Sequence, residues 1–211
     1  LYYYQGNIME QKNKNNKYNL ILEAAVKVFA ANGFYNSTIS QIAKEAGVAD
    51  GTIYLYFKSK DDIMANFFSY KTKQVFDRFR EVVELADDAV EKLRNLVRRH
   101  LEEFQADRNM AVVFHNEARQ FHQGDVQISD ITQMYLDILG EIIEKGQEEG
   151  QMRRDLYISL VKRYIIGAID EVINTWVHAG GKYDLVTFTD PLVDLFINGI
   201  GSNINQNNNV R

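Results

Sequence analysis

Apolar residues recur every three or four positions along most of this chain, a pattern that predicts helix after helix and no strand. Ile21, Ala25, Val28 and Phe29 form one stripe, predicting a first helix from about Tyr18 to Asn32 that Gly33 ends. Ile39, Ile42, Ala43 and Ala46 make the apolar face of a short second helix. Thr38 and Gln41 have the spacing of a capping box at its start. Gly47 stands where the chain must turn through positive φ, and Val48 is expected to wedge between the helices. Ala49 or Asp50 opens a third helix, with Ile53 and Phe57 inward and Thr52, Tyr54, Leu55 and Tyr56 outward. Ser59 to Asp62 is a second capping pattern, so a long fourth helix follows at once and runs to the mid-80s. Its inner side carries Ile63, Phe67, Tyr70, Val75, Phe79 and Val82.

Five further helices are expected. The fifth runs from Asp87-Asp88 to Phe104, and the sixth from Asn109 past Phe121 to a break at Gln123-Gly124-Asp125. The seventh carries Ile128 to Ile142 and ends between Gly146 and Gly150. The eighth spans about Asp155 to Ala179 and is apolar on most sides, as a helix buried on most sides must be. Pro191 signals a ninth that reaches about Gly201, with a kinked start at Leu185 as the alternative. The fold class is therefore all-α, with about nine helices. Residues 1–8 read as a remnant of a cleavable tag, 9–17 as a polar arm, and 202–211 as a disordered tail without an apolar pattern. Between them lie a small helical head, 18–63, and a larger helical body, 64–201.

Composition narrows the function. The chain has 211 residues and no cysteine, which excludes a disulfide framework and cysteine-based metal or nucleophile chemistry. No apolar run approaches the roughly 18 residues of a membrane span, and no secretory segment is evident, so a cytoplasmic protein is expected. The net charge of −5 looks wrong for a DNA-binding protein until it is divided. Residues 1–60 hold seven lysines and four acids, a net +3, while the rest holds 17 bases and 25 acids, a net −8. A basic head on an acidic body orients a protein on a polyanion.

A helix, a glycine turn and a second helix make the helix-turn-helix layout, whose second helix enters the DNA major groove. A helical hairpin in an ordinary core would leave Tyr54 and Tyr56 beside Lys58 and Lys60 without a purpose. The string A-x-x-x-F-A-x-x-G-F at 25–34, followed by T-I-S-x-I-A-x-x-A-G-V-A-x-G-T-I-Y-x-Y-F-K-S-K at 38–60, resembles the tetracycline-repressor (TetR) family. The match covers about Tyr18 to Ile63 and implies a homodimeric, all-helical, ligand-responsive transcription factor that binds a palindromic duplex operator. The resemblance also implies roles for residues. Thr38 and Ser40 lie near phosphate, and Asp50, Gly51, Thr52, Tyr54 and Tyr56 face the groove. Lys60 reaches backbone phosphate, and the fourth helix acts as the lever that ligand binding moves. The recognition helix has no Arg or Gln for bidentate base reading, so specificity leans on Tyr and Thr contacts, water and DNA shape.

The body also resembles a narrower group within that family, the fatty-acid-degradation repressors (FadR) of Bacillus-type bacteria. E-A-R-Q at 117–120, L-D-I-L-G-E-I-I-E-K-G at 136–146 and I-I-G-A-I-D-E-V-I-N-T-W-V with K-Y-D-L-V at 165–186 carry the likeness. It implies repression of fatty-acid metabolism with a long-chain acyl-CoA as effector, and no other cofactor. Regulation of multidrug efflux through amphipathic or aromatic compounds is the alternative, and a helical enzyme or interaction protein a more distant one. Candidate ligand-lining residues are Phe67, Phe104, Met110, Phe114, Phe121, Met134, Tyr135, Ile138 and Trp176, although aromatics at helical spacing are more often core. Arg119 is the first candidate for the anionic headgroup, with Arg98, Arg99, Arg108, Arg153 and Arg154 as others and a carboxylate pair as its alternative fate. His115 and His122 flank Arg119 on one helical face, and the interposed cation argues against a metal there. Gly167 and Ala168, with Leu192, Leu195, Phe196 and Ile200, are expected at a four-helix dimer interface. Motifs for nucleophilic, phosphate-binding, zinc-protease or dinucleotide chemistry are missing, so no enzyme is expected.

Overall fold

The computed structural model describes residues 2–117 and 128–199. Within them the secondary structure is entirely helical: α1 Tyr2–Asn32, α2 Ile39–Glu45, α3 Asp50–Ile53, α4 Lys60–Glu84, α5 Ala89–Ala106, α6 Arg108–Glu117, α7 Ile128–Glu148, α8 Ile158–His178 and α9 Thr189–Asn198. A 3-10 turn over Leu185–Phe188 precedes α9, so the kinked start at Leu185 is the one observed. The main departure is α1, which begins at Tyr2 rather than near Tyr18. Its early part has no apolar period to announce a helix, but it contains no proline to interrupt one either. The expected break at 123–125 and the tail at 202–211 lie outside the described residues.

Helix boundaries follow local chemistry. Asp88 opens α5 by accepting from the amide of Glu91 at 2.9 Å, and Asp107 opens α6 by accepting from Met110 at 3.0 Å. Gly33, Gly150 and Gly180 end helices or turns with positive φ.

The chain divides into two compact units, Leu1–Gln74 with Asp107–Ile131 and Val75–Ala106 with Thr132–Arg211. The first packs α1, α2, α3, the early part of α4 and α6 around Ile21, Phe29, Ile42, Ile53, Phe57 and Phe68, all fully or almost fully buried. Tyr18 stacks on Phe57 with ring centroids 4.9 Å apart. An open cleft of about 300 Å³ lies between α1 and α4 of this unit, floored by Leu22, Val26 and Phe67. The second unit packs α5, α7, α8 and α9 around Leu96, Leu101, Leu139, Ile169, Ile173 and Leu185. Arg78 on α4 grips Glu103 on α5 through two hydrogen bonds of 2.6 and 2.5 Å. Arg99 Nε lies 2.9 Å from the same carboxylate, but out of line for a hydrogen bond.

Candidate nucleic-acid interface

The helix-turn-helix is built by short-range bonds. Thr38 Oγ1 accepts from the Gln41 amide at 3.2 Å, and Gln41 Oε1 accepts from the Thr38 amide at 2.8 Å, completing the capping box. At the other end of α2, Gly47 takes φ 66°, and the Val48 amide donates to Ala43 at 2.9 Å. Val48 itself is only half-buried, so the wedge is made more by the backbone turn than by its side chain. The turn is chained so tightly because only the four residues 46–49 separate α2 from α3, a reversal that a left-handed glycine allows without strain.

The recognition helix α3 is one turn long, continued by Tyr56 and Phe57 amides that both donate to Ile53 at 3.0 Å. Ile53 and Phe57 are buried and fix its inner face. The other face is open: Tyr54 is 59 % and Leu55 77 % exposed, with Asp50 and Gly51 also exposed and Thr52 and Tyr56 half-buried. A Cβ placed on Gly51 would meet nothing within 4 Å, so the helix surface there is bare. Thr38 and Ser40 are exposed beside it on α2. The expected DNA-contact residues thus lie together on one short segment of the first unit, with Lys60 as the exception in orientation. Its ammonium points back at the loop before α2, where Phe34, Tyr35 and Ser37 carbonyls accept at 2.6, 3.3 and 2.8 Å.

A hydrogen-bonded chain ties this segment to its support. Tyr18 Oη donates to Asn66 Oδ1 at 2.9 Å, and Asn66 Nδ2 donates to the Asp62 carbonyl and carboxylate at 2.7 and 2.8 Å. The other Asp62 oxygen accepts from the Lys58 amide at 2.7 Å, just beyond the recognition helix. Burial, then the Asp62 charge, then Tyr70, raise the Tyr18 phenol above its ordinary pKa and keep it a donor.

The ligand candidates are divided between the two units. Phe67, Met110 and Phe114 are in the first unit, with Phe67 and Phe114 rings 5.8 Å apart. Phe104, Tyr135, Ile138 and Trp176 are buried in the second unit, whereas Met134 is 46 % exposed. Trp176 is held by an indole bond to the Tyr183 carbonyl at 2.8 Å, the ordinary arrangement of a core tryptophan. Arg119, Phe121 and His122 lie outside the described residues. Of the other cations, Arg99 pairs with Glu102 and Arg153 with Asp155, and Arg154 caps the α7 carbonyls of Gln147 and Glu148. Arg98 is exposed on α5 and makes no ion pair among the described residues. Sequence reasoning missed the hydroxyl of Tyr135, which is buried without a hydrogen-bond partner among the described residues.

Of the residues expected at a dimer interface, Gly167 is exposed and Ala168 half-buried, and Leu195 and Phe196 are accessible. Leu192 is instead buried within its own chain, because that side of α9 packs on α5. Ile200 lies outside the described residues. Leu156, Tyr157, Leu160 and Tyr164 extend the exposed apolar face along the start of α8.

A short recognition helix presenting hydroxyls and aromatic rings on a capped helix-turn-helix defines a DNA-binding regulator. Residues 21–66 match the bacterial regulatory proteins of the tetR family, and residues 68–199 match the C-terminal region of YsiA-like proteins. The fatty acid metabolism regulator protein of Bacillus subtilis (strain 168) is 40 % identical over 190 residues, 90 % of this chain and 98 % of that protein. The fatty acid degradation regulator FadR from Bacillus halodurans superposes with a TM-score of 0.80 at 37 % identity, over 87 % of this chain and 96 % of the other. The transcriptional regulator FadR from B. subtilis, crystallised in complex with stearoyl-CoA, superposes with a TM-score of 0.79 at 39 % identity, over 87 % and 100 %. The chain belongs to the tetR family of bacterial transcriptional regulators.

Proposed function

We propose that this protein is a cytoplasmic, homodimeric repressor of fatty-acid metabolism whose effector is a long-chain acyl-CoA. The body, residues 64–201, binds the effector, and the head, residues 18–63, responds with a change in DNA affinity. The observation that carries this reading is the likeness, spread over nine-tenths of the chain, to a Bacillus fatty acid metabolism regulator. The stearoyl-CoA bound by the B. subtilis FadR supports the choice of effector. Thr38, Ser40, Asp50, Gly51, Thr52, Tyr54 and Tyr56 meet the operator, one recognition helix per half-site, in major grooves about 34–36 Å apart. Leu160, Tyr164, Leu195 and Phe196, on α8 and α9, meet the second subunit, since an exposed apolar face of this extent is more costly than an interface.

An acyl chain gains roughly 0.8 kcal/mol for each CH₂ it buries, so chain length sets affinity. The CoA headgroup is an anion and needs a local cation against the net −8 carried by residues 61–211. Arg119 remains the first choice, and Arg98 follows as a candidate without an ion pair among the described residues. The ligand relieves repression only if it binds one spacing of the two heads better than the other, since equal affinity shifts nothing. The reaction is binding alone, without turnover. The test is titration of a long-chain acyl-CoA, free CoA and the free fatty acid into a protein–operator complex. Acyl-CoA is expected to lower DNA affinity and the other two are not. An aromatic cation that releases DNA where acyl-CoA does not would replace this reading with multidrug sensing.

A further inference from the structure

Lys60 opens α4, and a cation in the first turn of a 25-residue helix faces the positive end of the helix dipole. Something must offset that cost. The side chain turns away from solvent and is half-buried. Its ammonium has three donors and no acceptor. Three carbonyls converge on it: Phe34 at 2.6 Å, Ser37 at 2.8 Å and Tyr35 at 3.3 Å. The Phe34 ring lies beneath, 4.5 Å from the nitrogen to its centroid. Every donor is therefore taken by the loop between α1 and α2, and none is left for a phosphate oxygen.

That loop is held from inside as well. Ser37 is buried, and its hydroxyl bonds the carbonyls of Gly33 at 2.6 Å and Val28 at 3.3 Å. The next residue, Thr38, is the cap of α2, so whatever fixes Ser37 fixes the first turn of α2. From the other side, Ser59 and Asp62 fix the start of α4 directly after the recognition segment. Lys60 thus closes a ring that begins in the loop before α2, runs through α2 and α3, and returns at α4.

We infer that Lys60 is a positioning residue for operator binding: it acts by clasping the 34–37 loop to α4 and so orienting Thr38, Ser40 and α3, rather than by contacting phosphate. The inference rests on the DNA-binding reading above. Arginine cannot replace it, because a planar guanidinium fork does not match three carbonyls converging on one point. Charge is therefore the wrong property to conserve here, and geometry the right one.

Three measurements on the full-length protein test this. In the first, wild-type protein is reductively methylated with formaldehyde and a borane, free and bound to operator DNA, and each lysine is followed by peptide mass spectrometry. Lys60 is expected to react on the order of tenfold more slowly than exposed Lys58 and Lys44 already in the free protein, with little added protection from DNA. In the second, operator affinity of Lys60→Met and Lys60→Arg is measured across salt concentrations. Both variants are expected to bind about tenfold more weakly or worse, with the wild-type salt slope retained. In the third, hydrogen exchange is expected to speed up at the Gln41 and Ile42 amides of both variants while α5 stays protected. Lys60 reacting as fast as Lys58 in the free protein overturns the inference, and this outcome needs no variant to fold. So does a Lys60→Arg variant with full affinity beside a Lys60→Met variant whose salt slope falls by about 0.9, the mark of one fewer neutralised phosphate. Failure of wild-type protein to bind duplex DNA at all would instead remove the reading beneath it.

Discussion

Replacing Tyr135 by phenylalanine is expected to stabilise the free protein. Tyr135 sits on α7 at 3 % exposure, with its ring 4.9 Å from His100 and 5.5 Å from Phe79. Those contacts belong to the ring and survive in Tyr135→Phe. What disappears is a hydroxyl that has left water without gaining a hydrogen bond among the described residues. An unpaired buried hydroxyl costs about 1–3 kcal/mol, and the dispersion contacts of one oxygen return only a few tenths. The variant should therefore gain about 1–2 kcal/mol, which raises Tm by roughly 2–4 °C per kcal/mol for a chain of this length. The pH dependence gives a second check. Burial, and then the Asp170 charge, push the folded phenol above its ordinary value of 10.0. A raised folded pKa means that the stabilisation is intact below about pH 10 and is lost as pH climbs, because the unfolded phenol ionises and the folded one resists. Wild type should lose about 1.4 kcal/mol per pH unit above that point more than Tyr135→Phe does. Circular dichroism melting of both proteins from pH 7 to pH 11 reads both quantities. A Tyr135→Phe variant destabilised by more than about 1 kcal/mol, or an identical alkaline slope, would refute the reasoning. If the hydroxyl is kept for the effector, the same variant melts higher when free yet is stabilised less by acyl-CoA.

Thr38→Ala removes one half of the capping box and should cost about 1 kcal/mol, seen as a lower melting temperature that Thr38→Ser restores. The Tyr54→Ala, Tyr56→Ala double variant should keep the fold and lose preference for operator over unrelated duplex, measured by competition binding; unchanged preference would reject the groove-facing assignment. Leu160→Glu with Leu195→Glu places charge on the exposed faces of α8 and α9 and should yield monomer in sedimentation at micromolar concentration, with operator affinity lost in parallel.

Local rules made the head legible. Gly47, the Thr38–Gln41 pair and the inward Ile53 and Phe57 are all short-range signals, and each appears in the structure as the spacing implied. The early part of α1 was not legible, since a polar stretch without period leaves helix and coil equally consistent with its residues. Helical spacing marks which side of a helix is buried and not what it is buried against. That is why Phe67 and Trp176 read alike in the sequence and belong to different compact units. Lys60 shows the same limit more sharply. Its partners are 23 to 26 residues earlier, in a loop with no pattern of its own. The one available signal was a lysine at the end of a helix where the dipole disfavours it.

The division of labour on α3 has a consequence for how such a protein changes over generations. Ile53 and Phe57 hold the segment in place, while Asp50, Gly51, Tyr54 and Leu55 face outward and support nothing behind them. Exposed substitutions away from caps and cores usually shift stability by no more than about 0.5 kcal/mol. With Asp50, Gly51 and Tyr54 facing the groove as proposed, operator preference is expected to drift through these positions without passing through an unfolded intermediate sequence. A duplicated copy of the gene could acquire a new set of target promoters while its scaffold, and whatever signal it senses, stayed as they were.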